Sequence, residues 1–255
     1  MTYRAIRLEK DAGVATVTLN RPDVLNAISD EMFRELDEVV TEVESDDGVR
    51  VVIFTGAGDR AFCAGADIHE MAKKAKEQGI QPDDGPRSNT MWRIAACKKP
   101  TIGALNGLAY GGGSVLASSF DIRVGCERTR FRYLAASYGR VNATWILPLQ
   151  VGWPVAKELL MTARVVEAEE AHGMGLLNHL VSSAELLTKA NELAGQIAAN
   201  DSRMVQGIKQ LLIDDVGAQW KAMYDGETEA RQTWLTPTPV LEGFKEFLNR
   251  KGRSN

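Results

Sequence analysis

The sequence predicts an α/β fold, with a core of parallel strands and connecting helices and a helical region at the C-terminal end. Three observations carry this reading. Near the N-terminus an amphipathic helical pattern separates two apolar strand patterns; two glycine-bearing segments, Ala61 to Asp67 and Asn106 to Ser114, follow short apolar runs; and beyond Trp153-Pro154 almost every periodic stretch has helical spacing. At 255 residues the chain is long enough to bury roughly three quarters of its unfolded surface. The expected division is a core over residues 1–195 and a helical region over 196–255.

The elements follow in order. Ile6 to Leu19 alternates apolar and polar around Asp11-Ala12-Gly13, the mark of a β-hairpin. Ser29 is placed to cap a helix in which Phe33, Leu36, Val40 and Val43 recur at helical spacing, and Ser45-Asp46-Asp47-Gly48 stops it. Val49 to Thr55 is continuously apolar, as a strand covered on both faces must be. A helix is expected over Asp67 to Lys76, a Gly/Pro/Asp-rich loop over Gln78 to Arg87, a short helix over Ser88 to Ala96 and a buried strand over Thr101 to Leu105. A helix from Gly113 to Ser119 and a strand from Ile122 to Gly125 come next. Helices are then expected over Val155–Met161, Ala168–Met174, Ala184–Ala199, Ser202–Leu212 and Leu241–Arg250.

Composition narrows the function classes. Three scattered cysteines, Cys63, Cys97 and Cys126, make neither a disulfide framework nor a zinc motif. The N-terminus has no signal-peptide pattern and no eighteen apolar residues run together, so a soluble, cytoplasmic protein is expected, with no membrane partner. A formal charge of −4 argues against tracking a nucleic-acid backbone. No metal ligand set stands out, and small molecules are the expected ligands.

Glycines that follow a strand and open a helix leave backbone N–H groups pointing outward, where negative charge is favoured. Two such donors converging on one point make an oxyanion hole; the alternative is that the glycines only allow a tight turn between strand and helix. Asp67 is suited to cap the helix after it. His69 either faces a pocket or lies on the surface.

The two glycine segments resemble the crotonase family, the enoyl-CoA hydratase/isomerase group. Asn20-Arg21-Pro22-Asp23-Val24-Leu25-Asn26-Ala27 before them and Ala168-Glu169-Glu170-Ala171-His172-Gly173-Met174-Gly175-Leu176-Leu177 after them share the likeness, which spans essentially the whole chain. It implies a spiral of ββα turns with a C-terminal helical region, assembled as a homo-trimer or a dimer of trimers. The implied ligand is an acyl-CoA thioester, with CoA as part of the substrate and no separate cofactor. By position the oxyanion donors are the N–H groups of Ala66 and Gly112. Val24, Leu25, Ala64 and Ile68 are expected to border the CoA, and Phe247 and Arg250 to reach a neighbour's CoA.

The likeness has two departures. The stations where hydratases carry their two glutamates fall on Val115 and Ala135, neither of which moves a proton. The segment after Ala135 is also shorter than in hydratases, and it carries Tyr138, Arg140 and Asn142. Tyr138 suits a weak acid or an orienting donor, Arg140 a carboxylate partner and Asn142 a water-orienting group. The plainer alternative is that Tyr138 and Trp145 fill core space while Arg140 faces solvent. The expected function is stabilisation of a thioester enolate without the two-glutamate hydration mechanism, as in decarboxylation or isomerisation. A catalytically silent acyl-CoA binder or assembly protein is the other reading.

Overall fold

Two sheets run through the computed structural model, which describes residues 3–78, 87–216 and 218–249. The hairpin forms as expected: β1 (Ile6–Asp11) pairs antiparallel with β2 (Val14–Leu19) around the tight turn at Ala12-Gly13. Ser29 Oγ accepts a hydrogen bond from Met32 N at 3.2 Å and so starts α1 (Asp30–Ser45). The helix buries Met32, Phe33, Leu36, Val39, Val40 and Val43, and returns the chain to β3 (Val51–Gly56), parallel to β2.

Every residue of β3 is buried, and its two faces meet different neighbours. Val52 and Phe54 face the main core, whereas Val51 and Ile53 face a cluster with Leu186, Ala190 and Ala194 of a later helix. The rest of the chain spirals. β4 (Ala61–Cys63) leads to α2 (Ile68–Gln78) and α3 (Arg87–Ala95). β5 (Thr101–Leu105), β6 (Leu108–Tyr110) and α4 (Gly112–Ser118) follow, then β7 (Ile122–Cys126) and β8 (Arg130–Arg132). In each pass one strand joins the six-stranded sheet β1-β2-β3-β5-β7-β10 and the next joins the four-stranded sheet β4-β6-β8-β9. Phe120 ties the sheets together, stacked on Phe54 at 4.7 Å between centroids and edge-on to Phe62 at 5.9 Å.

A short 3₁₀ turn over Ala136–Tyr138 precedes α5 (Leu147–Thr162). The sequence suggested a helix only from Val155, but α5 starts earlier and breaks at Gly152, whose φ of 74° is not helical. β9 (Val166–Glu167), α6 (Ala168–Gly173), β10 (His179–Val181) and α7 (Leu186–Ala198) complete the sheets and cover the outer face of the larger one. α7 therefore packs with the core across the division expected at residue 195. The strands β4, β6, β8, β9 and β10 had no alternation long enough to mark them.

The C-terminal region is α8 (Ser202–Val216), α9 (Ala218–Gln232), α10 (Val240–Gly243) and α11 (Lys245–Asn249). The single helix expected over Leu241–Arg250 is two short ones that part at Phe244, and α9 was not foreseen. Three ties hold this region down. Lys209 Nζ on α8 reaches Asp121 Oδ2 at 2.7 Å and the Lys99 carbonyl at 3.2 Å. Tyr224 on α9 packs against Trp145 and Trp92, with centroids 5.1 and 5.4 Å away. Val240 and Phe244 pack on Met71, Ala72 and Ala75 of α2. Among the described residues no helix is long and apolar enough to cross a membrane.

Candidate active site

The two glycine segments lie side by side at one wall of a cavity of about 1040 Å³. Gly65 has a φ of +93°, and a Cβ added there would come within 2.6 Å of the Tyr110 carbonyl oxygen and 2.9 Å of Gly112 N. Only glycine permits that approach. A Cβ on Gly112 would lie 3.5 Å from Ala66 N, which places the two amides at one spot on the cavity wall. Neither N–H is spent on the protein's own turns among the described residues, because Gly112 is the first residue of α4 and the bridge from Ile28 uses the Gly65 carbonyl. Cys63 lies directly behind. Its sulfur accepts from Gly65 N at 3.4 Å, and burial pushes its thiol up to about 12, so it stays protonated at neutral pH and packs as an apolar group.

The four residues expected at one border also line the cavity: Val24, Leu25, Ala64 and Ile68. The loop Pro22–Val24 is a 3₁₀ turn that exits through Leu25 and Asn26, both at positive φ (55° and 54°). A non-glycine pair in that region is held only by its surroundings. Asn26 supplies the hold, with its side chain accepting from Arg21 N and donating to the carbonyls of Ala57 and Ala61, each at 3.0 Å. Leu25 in turn accepts from Ala64 N at 2.9 Å. Val24 is left 45 % exposed at the rim, and Arg60 adds a cation nearby.

Asp67 caps α2 as expected: its Oδ1 accepts from Glu70 N at 3.2 Å, and Oδ2 pairs with Arg21 at 3.0 Å. Burial, with the Asp67 charge second, raises the Glu70 carboxyl above its ordinary value. His69 is exposed and lines the rim, its ring 5.7 Å from Phe247. Phe247, assigned by resemblance to a neighbour's ligand, lines this chain's own cavity. Arg250 lies outside the described residues.

Val115 and Ala135, the positions that the resemblance assigns to the two glutamates, both line the cavity. Tyr138, Arg140 and Asn142 line it too. The Tyr138 ring is 4.5 Å from that of Phe244, and the Arg140 guanidinium carbon sits 5.4 Å from the same ring, a cation–π distance. Tyr138 thus combines the packing role and the cavity-lining one. The Asn142 Oδ1 is buried and has no hydrogen-bond partner among the described residues.

The cavity also contains residues that the sequence reading did not single out. From α9 come Tyr224, Glu227 and Arg231, spaced for one helical face. Glu227 Oε2 accepts from Thr144 N at 2.8 Å and from Thr144 Oγ1 at 2.6 Å, which fastens the carboxylate to the loop that follows Asn142. Their only sequence signal was this spacing. Among the described residues no group of three or more His, Cys, Asp or Glu is arranged to hold a metal ion.

Two interleaved sheets, a helical C-terminal region and paired backbone donors above a large cavity define a crotonase-fold protein. The enoyl-CoA hydratase/isomerase sequence profile matches residues 9–253, and this chain belongs to that family. It is 38% identical to the short-chain-enoyl-CoA hydratase of Clostridium acetobutylicum over 255 residues, 98% of this chain and 97% of that protein. It is 34% identical to the 1,2-epoxyphenylacetyl-CoA isomerase of Escherichia coli, covering 94% of each. Among solved structures, an enoyl-CoA hydratase/isomerase from Xanthobacter autotrophicus Py2 superposes with a TM-score of 0.87 at 30% identity, covering 99% of this chain and 95% of that one.

Proposed function

We propose that this chain acts on acyl-CoA thioesters by stabilising an enolate between the N–H groups of Ala66 and Gly112. The observation that carries the reading is the contact of the two glycine segments, which puts both donors on one patch of cavity wall. An enolate bears its negative charge on the former carbonyl oxygen, and fixed amide dipoles meet that charge without reorganising; one such donor is worth about 3 kcal/mol, or roughly a hundredfold in rate. Val24, Leu25, Ala64 and Ile68 border the CoA portion in this reading, with Phe247 on the same cavity wall. Tyr138, Arg140 and Asn142 face the acyl portion.

Hydration by a glutamate pair is disfavoured, because Val115 and Ala135 stand at the two stations and each general acid or base is worth about 10²- to 10⁴-fold. Isomerisation of a double bond and decarboxylation of a malonyl-type thioester both pass through the enolate and need no such pair. The test is turnover of a panel of 2-enoyl-, 3-enoyl- and malonyl-type CoA thioesters by the wild type and Gly112→Pro. The expected result is turnover that the proline variant abolishes. Measurable CoA binding with no turnover of any member would establish the silent binder instead. Hydration of a short 2-enoyl-CoA at ordinary enzyme rates would overturn the reading of positions 115 and 135.

The proposed assembly is a homo-trimer or a dimer of trimers. α8 supports it, because Met204, Ile208, Leu211 and Leu212 recur on one face and are each half or more exposed. A monomeric mass by light scattering at micromolar concentration would refute it.

A further inference from the structure

We propose that Ser114 is a positioning residue of this site, whose hydroxyl fixes the direction in which the Gly112 N–H points. The inference rests on the enolate reading above, in which the Ala66 and Gly112 amides meet one oxygen. A backbone donor is aimed by its own peptide plane, because in a trans peptide the N–H points opposite to the carbonyl. The Gly65 carbonyl accepts from Ile28 N at 2.7 Å, which turns the Ala66 N–H away from Ile28. The Gly111 carbonyl accepts from Ser114 N at 3.1 Å and from Val115 N at 3.3 Å, which turns the Gly112 N–H out of the first turn of α4. The aim of Gly112 is therefore set by whatever holds Ser114.

That hold has to come from within the helix. Gly111 stands at the N-cap, with no side chain to bond the first turn and with a φ of +53° that favours glycine. Ser114 takes the place of the missing cap. It is fully buried, and its Oγ lies 2.5 Å from the Ala109 carbonyl oxygen of β6 and 3.0 Å from the Arg132 carbonyl oxygen of β8. The hydroxyl proton serves these two carbonyls, while the oxygen accepts from Arg132 N at 3.2 Å. Gly111 N donates to the same Arg132 carbonyl at 2.8 Å. The start of α4 is thereby pinned to two strands of the smaller sheet. At 0% exposure no solvent reaches Ser114 to replace its oxygen once the side chain is cut back.

Ser118 gives the comparison within the same helix. It too is buried and hydrogen-bonded, with 2.8 Å between its Oγ and the Tyr133 hydroxyl. It lies one turn beyond Ser114, and its bond runs to a side chain and not to the strand backbone beside the Gly111–Gly112 peptide. Removing either hydroxyl takes a buried anchor from α4, but only the loss of Ser114 releases the peptide that carries the donor.

The experiment compares the wild type with Ser114→Ala, Ser114→Cys and Ser118→Ala. Three quantities are read: turnover of the best thioester, affinity for free CoA, which lacks the thioester carbonyl, and the infrared stretch of the isotope-labelled thioester carbonyl of bound butyryl-CoA. On the wild type that stretch is expected below its frequency in water, because the two amides polarise the carbonyl. In Ser114→Ala it is expected to move back towards the water value, with kcat down about ten- to a hundredfold, the upper figure being the loss of one donor, and with KM and CoA affinity little changed. Ser118→Ala is expected to lower Tm while keeping the wild-type stretch and kcat. Cysteine keeps the size of serine but is a weaker donor and acceptor, so Ser114→Cys is expected to fall between wild type and alanine. Should the alanine variant fail to fold, a wild-type stretch and kcat in Ser114→Cys overturn the assignment. An unchanged stretch in Ser114→Ala, equal losses in Ser114→Ala and Ser118→Ala, or a fall in CoA affinity in place of kcat overturns the role of Ser114 and leaves the enolate reading standing. A wild-type stretch that does not move on binding overturns both.

Discussion

Gly65→Ala tests whether the contact of the two glycine segments makes the site. The native φ of +93° is unfavourable for an L-residue by about 1–2 kcal/mol. The new methyl would also stand 2.6 Å from the Tyr110 carbonyl oxygen and 2.9 Å from Gly112 N, both backbone atoms that move only with their strand and helix. Crowding of that kind costs about 1–3 kcal/mol. The sum is about 2–5 kcal/mol of lost stability, which in a chain of this length lowers Tm by roughly 5–15 °C. Relief comes by parting the segments, and that separates Ala66 N from Gly112 N, so kcat is expected to fall about a hundredfold, the worth of one donor. Thermal unfolding and steady-state turnover of the best thioester measure the two effects. A Tm within 1 °C of wild type would refute the steric argument, and a lowered Tm with unchanged kcat would show that the spacing of the two amides is immaterial to the chemistry.

Lys209→Met removes the cation that ties α8 to Asp121 and to the Lys99 carbonyl. Asp121 remains partly solvated and keeps Thr101 as a donor, so the expected loss is about 2 kcal/mol in urea titration, and a change under 0.5 kcal/mol would show that the tie contributes little. Burial raises the Cys63 and Tyr133 groups to about 12 and Cys97 to about 11. Because their protonated forms are favoured in the fold, this contribution is present below the unfolded values and is lost as pH rises from about 9 to 11 for Cys97, 9 to 12 for Cys63 and 10 to 12 for Tyr133, by about 1.4 kcal/mol per pH unit for each group ionised in the unfolded chain. Stability that stays flat from pH 8 to 10.5 would contradict it, and Cys97→Ala should make the early part of the fall shallower. Acyl-CoA at a hundred times its Kd should stabilise whatever closes the cavity by about 2.7 kcal/mol. Hydrogen exchange within α9 should slow accordingly, and unchanged exchange there would place α9 outside the ligand site.

Legibility in the sequence followed the length of the pattern. The hairpin and α1 announced themselves because each repeats a period over five or more residues, and the strands Val51–Gly56 and Thr101–Leu105 because each is a largely apolar run with no alternation, as a strand covered on both faces must be. β4, β6 and β8 have three residues each, too few for alternation to register, and β6 is hidden inside the glycine segment. α9 failed for another reason. Its surface is largely polar, and it is held by one aromatic cluster and a threonine rather than by an apolar stripe.

The same difference separates the two halves of the site. The contact of the two glycine segments was legible because a backbone group reaches its place through local conformation, and glycine at Gly65 and Gly111, both at positive φ, writes that conformation into the sequence. A side chain that reaches the cavity from a distant helix is different, because only long-range packing decides which one enters. Glu227 lies 83 residues from the threonine that holds it, a separation that no local period encodes. The absence of glutamate at positions 115 and 135 was readable for the opposite reason, since those positions are fixed relative to Gly112 by α4 and by β8 with the turn that follows it. Local sequence thus marks residues that their own backbone carries to the cavity, such as Val115 and Ala135, and the fold is needed to find those, such as Glu227, that arrive from far along the chain.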